Sequence, residues 1–595
     1  MSTRSGNRTH RNALSDVTPT TQPPTSPAPT PPTAQLQVRS LRVGALPLID
    51  HFFQRMQLLP LLQRHLPTDR RNVRISTSRA LLVLVRNMLL SREPVYGLGE
   101  WAALYAPDLI GLTSEEVSWL NDDRLGRALD RTFDVFGKGL LLDGVRHVTR
   151  EFQVRLDELH NDSTSVSVYG AYSDAAQEKS VRGRRTCAIT FGHSKDHRPD
   201  LKQLLYILTL SDDGGVPVYV QVANGNTTDD QTHRATWDVL YELVGSADFL
   251  YVADCKLATR ENLSYIAGRD GRFLSVLPAT RREDAAFRQK LLSQDDAVSW
   301  VWLRDVYNAQ QKVVDRFWVC EQEQLTSEGW RLWWYRSQRK QQLDAQTRAR
   351  GIQRATEKLD QLRQRLLGPR SRLRQRAQVQ EAVDAIVEEF RVAAWVIPTI
   401  HDCHEERPRQ VSPGRPGPNT KYVLQRREYF DLTWKIDSVA FGQVLPGDGV
   451  FPLVTNQLDM DAAAALAAYK RQPTIEKRFS QLKTDYAVAP IWLKEVSRVQ
   501  ALLGLYFFVL LTQSLLEREL RQAMQRAGLE SLPLYPEGRA CRHPTARRVF
   551  DVFEPVQRYV VRLEDGREQV MVTELTPLQR QIVTMLGLNP DRYGH

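Results

Sequence analysis

Three acidic residues stand where a carboxylate is costly unless it does chemistry. Asp162 lies in His160-Asn161-Asp162-Ser163-Thr164, inside a stretch that reads as a strand. Asp254 ends the apolar stretch Tyr251-Val252-Ala253-Asp254, and Glu476 lies in a late helical stretch, in Gln472-Pro473-Thr474-Ile475-Glu476. A carboxylate in an apolar strand is expensive to bury unless it is paired or coordinates a cation. Carboxylate oxygens, water and phosphate oxygens are the ligands Mg²⁺ prefers. Two such ions about 4 Å apart can activate an attacking oxygen and stabilise a leaving one. Singly, an Asp at a strand end is an ordinary cap and a Glu on a helix is ordinarily solvated. In strand, strand and helix of one topology, Asp162, Asp254 and Glu476 outline a catalytic metal site for phosphoryl transfer.

The residues around Glu476 sharpen this. Tyr469, Glu476 and Lys483 are spaced seven and seven, nearly two helical turns each, which predicts one shared face. Lys483 would then reach a phosphate beside the acids. Pro473 is tolerated only in a first turn, so the Glu476 helix is expected to start there, kinked against the preceding one. The stretch Gly192 to Gln203 clusters His193, Lys195, His197, Arg198 and Lys202, which suits phosphates. As a loop it is also simply a solvated one. No Cys or His pair completes a zinc site there.

With these residues the chain resembles DDE-type transposases of bacterial insertion sequences. It is most similar to the group whose third acid sits in a Y-x2-R-x3-E-x6-K signature. Tyr469, Glu476 and Lys483 match it; the Arg position is Gln472, with Arg471 adjacent. The Gly192 to Gln203 stretch, and Gly225-Asn226 with Asp229, look like the same group. The resemblance implies an α/β ribonuclease H-like catalytic core using Mg²⁺ (two ions, with Mn²⁺ as substitute) on Asp162, Asp254 and Glu476. It implies DNA cleavage exposing a 3′-OH and joining of that end to target DNA. Tyr469, Arg471, Gln472, Lys483, His193, Lys195 and Arg198 would face the DNA. The partners would be terminal inverted repeats and target DNA, with a homodimer or higher assembly on the DNA. Two other readings stay open: an inactive transposase-derived DNA-binding protein, and a nuclease of the same fold without strand transfer.

The elements that must position these residues follow from pattern. Residues 1–37 hold seven of the chain's 31 prolines and few large apolar side chains, which predicts a disordered tail. Residues 38–153 carry helical periodicity, with Ser76, Thr77 and Ser78 as cap candidates and Asn121-Asp122 opening another helix. They read as an all-α N-terminal domain, and as the candidate DNA-binding part that reads the ends, because helices can enter a major groove. From residue 154 the period changes. Ser163 to Val168, Gln203 to Leu210 and Val216 to Val222 read as strands, the last two joined by Ser211-Asp212-Asp213-Gly214-Gly215. Helix, strand, helix, strand follow to about residue 280. The core is thus expected as a mixed five-stranded sheet in two parts, 154–280 and 448–521. Between them, 281–447 reads as an inserted Trp-rich β piece and a basic helical hairpin turning near Gly368-Pro369, then a Pro/Gly-rich loop near Pro413 to Pro418. Residues 522–595 form a C-terminal region.

Composition is consistent with a nucleic-acid partner. The chain has 595 residues, 42% hydrophobic and 25% charged, with 80 Lys and Arg against 70 Asp and Glu, net +10. These are globular values. Between Arg339 and Arg376 twelve basic residues face three acidic ones, net +9, so nearly all the excess charge sits in one run. Within it Arg370, Arg372, Arg374 and Arg376 are candidate phosphate contacts; the alternative is a solvated helix face. Five scattered cysteines exclude a disulfide framework. No N-terminal apolar segment reads as a signal peptide, and the apolar run Ala501 to Leu511 is too short to span a bilayer. A cytoplasmic, nucleoid-associated protein is expected.

Overall fold

The computed structural model describes residues 37–293, 298–308, 310–322, 324–368, 371–491, 493–563 and 566–593. The tail expected over residues 1–37 lies, up to residue 36, outside the described residues, and so does Arg370. Strand β1 (Gln37–Arg42) comes first. Helices Leu46–Arg55, Leu58–His65, Thr77–Leu90, Asp122–Val135 and Lys138–Glu151 follow. Two begin at the expected caps: the Ser76 side chain accepts from the Arg79 amide, and Asn121 accepts from the Arg124 amide. Each cap satisfies an N–H that has no partner within the helix.

The α/β part starts with β2 (Glu158–Val168), then a short pair, β3 (Ser180–Val181) and β4 (Arg184–Arg185). Next come β5 (Lys202–Ser211), β6 (Pro217–Asn224), helix His233–Val244, β7 (Leu250–Ala253), helix Arg260–Ala267 and β8 (Arg272–Val276). Helix Arg282–Leu292 leads to β9 (Trp300–Tyr307), β10 (Val313–Cys320), β11 (Gln324–Leu325) and β12 (Arg331–Ser337). Helices Gln338–Leu367 and Arg376–Glu389 are followed by the long pair β13 (Val396–Gln410) and β14 (Tyr422–Ile436). Then come β15 (Val450–Thr455), helices Ala462–Tyr469, Pro473–Ser480 and Val496–Arg526, helix Ala546–Phe553, β16 (Gln557–Arg562), β17 (Glu568–Val572) and helix Pro577–Met585.

The fold is mixed α/β. Its central sheet runs β6-β5-β2-β7-β8-β15-β12-β10-β9, with β11 on β12. β5 pairs antiparallel with β2 and β6, whereas β2, β7 and β8 are parallel. The expected five-stranded sheet is therefore too small. The Trp-rich strands lie between β8 and β15 in the chain, as expected, but they do not form a sheet of their own: β12 pairs antiparallel with β15, which pairs with β8, so they extend the central sheet to ten strands. Pairing across more than a hundred residues supplies partners for edges that would otherwise be open. The helical pair after β12 is present, and the stretch around Pro413 to Pro418 is a loop, as expected, at the tip of the β13–β14 ribbon.

Helix Val496–Arg526 is long and apolar enough to cross a membrane, yet it is buried within the protein. It packs on helices Asp122–Val135 and Thr77–Leu90 and on β6. The N-terminal helices thus share one hydrophobic cluster with the sheet, and β1 pairs with β16. Near its C-terminal half this helix carries Glu517, fully buried against Arg478 of the Glu476 helix, at 2.8 Å. Burial would raise the Glu517 pKa, but the charges of Arg478 and Arg521 outweigh it and hold the carboxyl at about 2.

Candidate active site

Strand register brings the first two acids together. β2 and β7 pair in parallel through Glu158↔Leu250, Leu159↔Tyr251 and His160↔Val252. Two residues further along each chain stand Asp162 and Asp254, level with one another just past the last pair and on the same face. The β7 strand ends at Ala253, so Asp254 sits at the carboxyl end of a parallel strand, where open α/β sheets place their ligands. The Lys256 amide donates to Asp254 Oδ1 at 3.0 Å, and Ser275 Oγ donates to the Asp254 carbonyl at 2.7 Å. Both carboxyls are perturbed. Burial pushes Asp162 up to about 6, against the pull of Lys195, and the charge of Asp254 adds to the rise. Burial likewise raises Asp254, with Asp229 contributing.

The third acid arrives on a separate helix. Pro473 occupies its first turn, as expected, and the helix packs across β2. One continuous helix through Lys483 is not formed. Tyr469 ends one helix, Glu476 sits in the next, and Lys483 lies in the π-helical turn Gln481–Asp485. Tyr469 nonetheless marks the common ground of the acids. Burial pushes its phenol up to about 12, and the charges of Asp254, Glu476 and Asp162 all push the same way.

A network that sequence reasoning missed docks this segment. Arg471 forks onto both oxygens of Glu158, with Nε at 2.5 Å from Oε1. His160 bridges Glu158 Oε1 and Gln472 Oε1, at 2.8 Å each, and Gln472 Nε2 donates to the Asn161 carbonyl at 3.1 Å. Burial opposes ionisation of Glu158, but the hydrogen bonds from His160 and Arg471 outweigh it and hold its pKa at about 2. Arg471 and Gln472, expected to face DNA, therefore turn their polar groups onto the strand that carries Asp162. The Gln472 amide thus meets an imidazole and a backbone carbonyl at once.

Lys195 is placed among the acids. Its ammonium lies 3.3 Å from Asp162 Oδ1, 3.2 Å from Asp229 Oδ2 and 2.7 Å from the Ser163 carbonyl. Partial burial works against this ammonium, but Asp162 and Asp229 outweigh it and raise its pKa. Ser163 Oγ donates to Asp229 Oδ1 at 2.5 Å, so Asp229 is a fourth carboxylate at the site. Two glycines let the Lys195 loop approach the Asp229 loop. A Cβ on Gly192 would lie 2.0 Å from the Gly225 carbonyl oxygen, and one on Gly225 would lie 2.0 Å from the Gln203 carbonyl oxygen.

The remaining candidates divide. Lys483 ion-pairs with Asp196 of the same loop, Arg198 forks onto Asp200, and His193 is exposed. Arg372 and Arg374 are exposed, whereas Arg376 is held by Asp402 at 2.6 Å. Elsewhere in the basic run, Arg348 and Arg363 pair with Asp448 and Asp431, so part of that run faces protein. Beside Asp254 an open cleft of about 1080 Å³ is lined by Lys256, Arg260, Arg281 and Arg282 among others.

Among the described residues no three His, Cys, Asp or Glu side chains converge closely enough to hold a metal ion as they stand. The donor chemistry still fits a hard cation: Asp162 and Asp229 already hold the Lys195 ammonium between them, and Asp254 stands level with Asp162.

Residues 37–142 match a sequence family described as a domain of unknown function (DUF4277). No curated protein matches the chain. Among solved structures, it is similar to a chain in the cryo-EM structure of a piggyBac transposase synaptic complex with hairpin DNA. The identity is 9% and the TM-score 0.25, with 49% of this chain and 66% of that chain covered. The chain thus spans just under two thirds of that relative, at a TM-score too low to define a shared fold.

Proposed function

We propose that this protein is a DDE transposase of an insertion sequence, with a ribonuclease H-like core, that cuts DNA at its element's ends and joins them to a target. The observation that carries the reading is the level placement of Asp162 and Asp254 on adjacent parallel strands, with Tyr469 in the field of both and of Glu476. Asp162, Asp254 and Glu476 would hold Mg²⁺, which supplies activation of an attacking oxygen and stabilisation of a leaving one. Cleavage is in-line attack of water on a phosphodiester, breaking its P–O3′ bond to leave a 3′-OH and a 5′-phosphate; joining is attack of that 3′-OH on a target phosphodiester, breaking its P–O3′ bond and releasing a 3′-OH on the target strand. The chain's own residues have separate tasks. Lys195 and Lys256 offer positive charge to the phosphate. Glu158, His160, Arg471 and Gln472 hold the Glu476 helix against the strand of Asp162.

The test uses duplexes carrying the inverted repeats that flank the gene. Asp162→Ala should abolish Mg²⁺-dependent cleavage and leave end binding nearly intact. A variant that cleaves at the wild-type rate would remove Asp162 from the site. A wild-type protein that binds ends and never cleaves them would favour a non-catalytic DNA-binding protein.

A further inference from the structure

Among the described residues the β13–β14 pair is a two-stranded sheet joined to no other strand. Each strand has 15 residues, which makes the ribbon about 50 Å long. Its proximal half is anchored: Val396, Ile400 and Leu432 share a core with the helices Gln338–Leu367 and Arg376–Glu389. Its distal half has no such support and is almost entirely exposed from Glu406 to Gln425. A bare two-stranded ribbon is marginal in water, so this one is expected to have something to lie on.

The sequence of the distal half says what. From Arg407 to Arg427 there are six basic residues (Arg407, Arg409, Arg415, Lys421, Arg426 and Arg427) and no acid. Register sorts the strands into two faces. Arg409↔Val423 and Arg407↔Gln425 lie on one, Gln410↔Tyr422 and Pro408↔Leu424 on the other. The first face is cationic. The second exposes Tyr422 at 54% and Leu424 at 67%. A second copy of this chain is a poor occupant. Arg407 pairs with Glu405 and Arg426 lies near Glu428, but Arg409, Arg415 and Lys421 would meet their equivalents, and Pro408 removes a donor that edge-to-edge pairing needs. A polyanion of the right width is a good one. The major groove of B-DNA, about 12 Å wide, admits a two-stranded β-ribbon, and its walls are phosphates.

We propose that the distal β13–β14 ribbon is a DNA-binding arm that lies in the major groove of the duplex held by the protein. Arg409, Arg415 and Lys421 contact its phosphates. The inference rests on the reading that this protein acts on DNA, and adds a binding surface that the acidic site does not require.

The experiment is a salt titration of duplex binding by the full chain, wild type against Arg409→Gln/Arg415→Gln/Lys421→Gln. These positions are exposed, so melting should not change. The salt slope should become shallower by up to about 3, at roughly 0.9 for each phosphate that the variant no longer neutralises. Amide exchange across residues 405–428 should slow on adding duplex to the wild type and not to the variant. A wild type that binds DNA with a slope the variant reproduces would overturn the arm and leave the transposase reading intact. A wild type that binds no duplex at any salt would overturn that reading itself. Unchanged DNA binding with altered self-association in the absence of DNA would assign the ribbon to a second copy and overturn the proposal.

Discussion

Replacing Glu158 by Gln keeps the shape of the side chain and removes only its charge. Two partners lose an anion: the Arg471 fork and the His160 imidazole at 2.8 Å. The carboxyl is held at about 2 against an ordinary 4.5, which corresponds to a ceiling of about 3 kcal/mol at 1.36 per unit. The Arg471 side chain is 41% exposed, so solvent screening brings the expected loss nearer to about 2 kcal/mol. The loss should appear where the network acts, at the docking of helix Pro473–Ser480 on β2. Native-state amide exchange reads such local opening, and about 2 kcal/mol is roughly a 30-fold loss of protection. The pH dependence has a defined sign. A carboxyl with a depressed native pKa stabilises fully above its unfolded value and loses that contribution as pH falls through the native one. The difference between wild type and Glu158→Gln should be complete at pH 6 to 7 and shrink between about 4.5 and 2. Equal protection of the helix at pH 7, or a difference that persists undiminished at pH 3, would refute the role given to this network.

Glu517→Gln should destabilise the whole protein by about 3–5 kcal/mol, because it strands the Arg478 charge, whose side chain is 2% exposed; a thermal melt within a degree of wild type would contradict it. Lys195→Gln removes an ammonium that competes for Asp162 and Asp229. The DNA-free protein should then bind Mn²⁺ about fivefold more tightly, since two partly exposed pairs are worth roughly 1 kcal/mol; calorimetry showing equal affinities would count against cation binding at these acids. Arg372→Gln with Arg374→Gln should flatten the salt slope of DNA binding by up to about 2, equally for end-containing and random duplexes, because phosphate contacts carry no direct sequence information. An unchanged slope would make that stretch a solvated surface.

What the sequence disclosed depended on how local the cause was. The β5–β6 hairpin was readable because a continuous apolar run and an alternating one flank a Gly-Gly turn, and the bounds Lys202–Ser211 and Pro217–Asn224 differ from the expected ones by a residue or two. That the strands of Asp162 and Asp254 belong to one sheet could be anticipated from the order of elements, but the register that levels the two acids could not. The wider sheet could not, because β12 finds β15 only after more than a hundred intervening residues. β13 and β14 escaped notice for a different reason. His401-Asp402-Cys403-His404-Glu405-Glu406 has no apolar alternation, since the ribbon has no buried face there to impose one. At the site, Lys195 was visible as a cation but its pairing with Asp162 and Asp229 was not. That pairing depends on two loops meeting at Gly192 and Gly225. Glu158 and His160 gave no signal, because Arg471 and Gln472, which they bind, lie more than three hundred residues away.

The most direct measurement combines the protein, a duplex ending in its element's inverted repeat, a supercoiled plasmid and Mg²⁺, and sequences the joints. The proposed activity requires a 3′ end of the repeat linked to a plasmid strand, with no product when Mg²⁺ is omitted and none from Asp254→Asn. Wild-type protein that binds the duplex yet neither cuts nor joins it, or Asp254→Asn protein that joins at the wild-type rate, would contradict it.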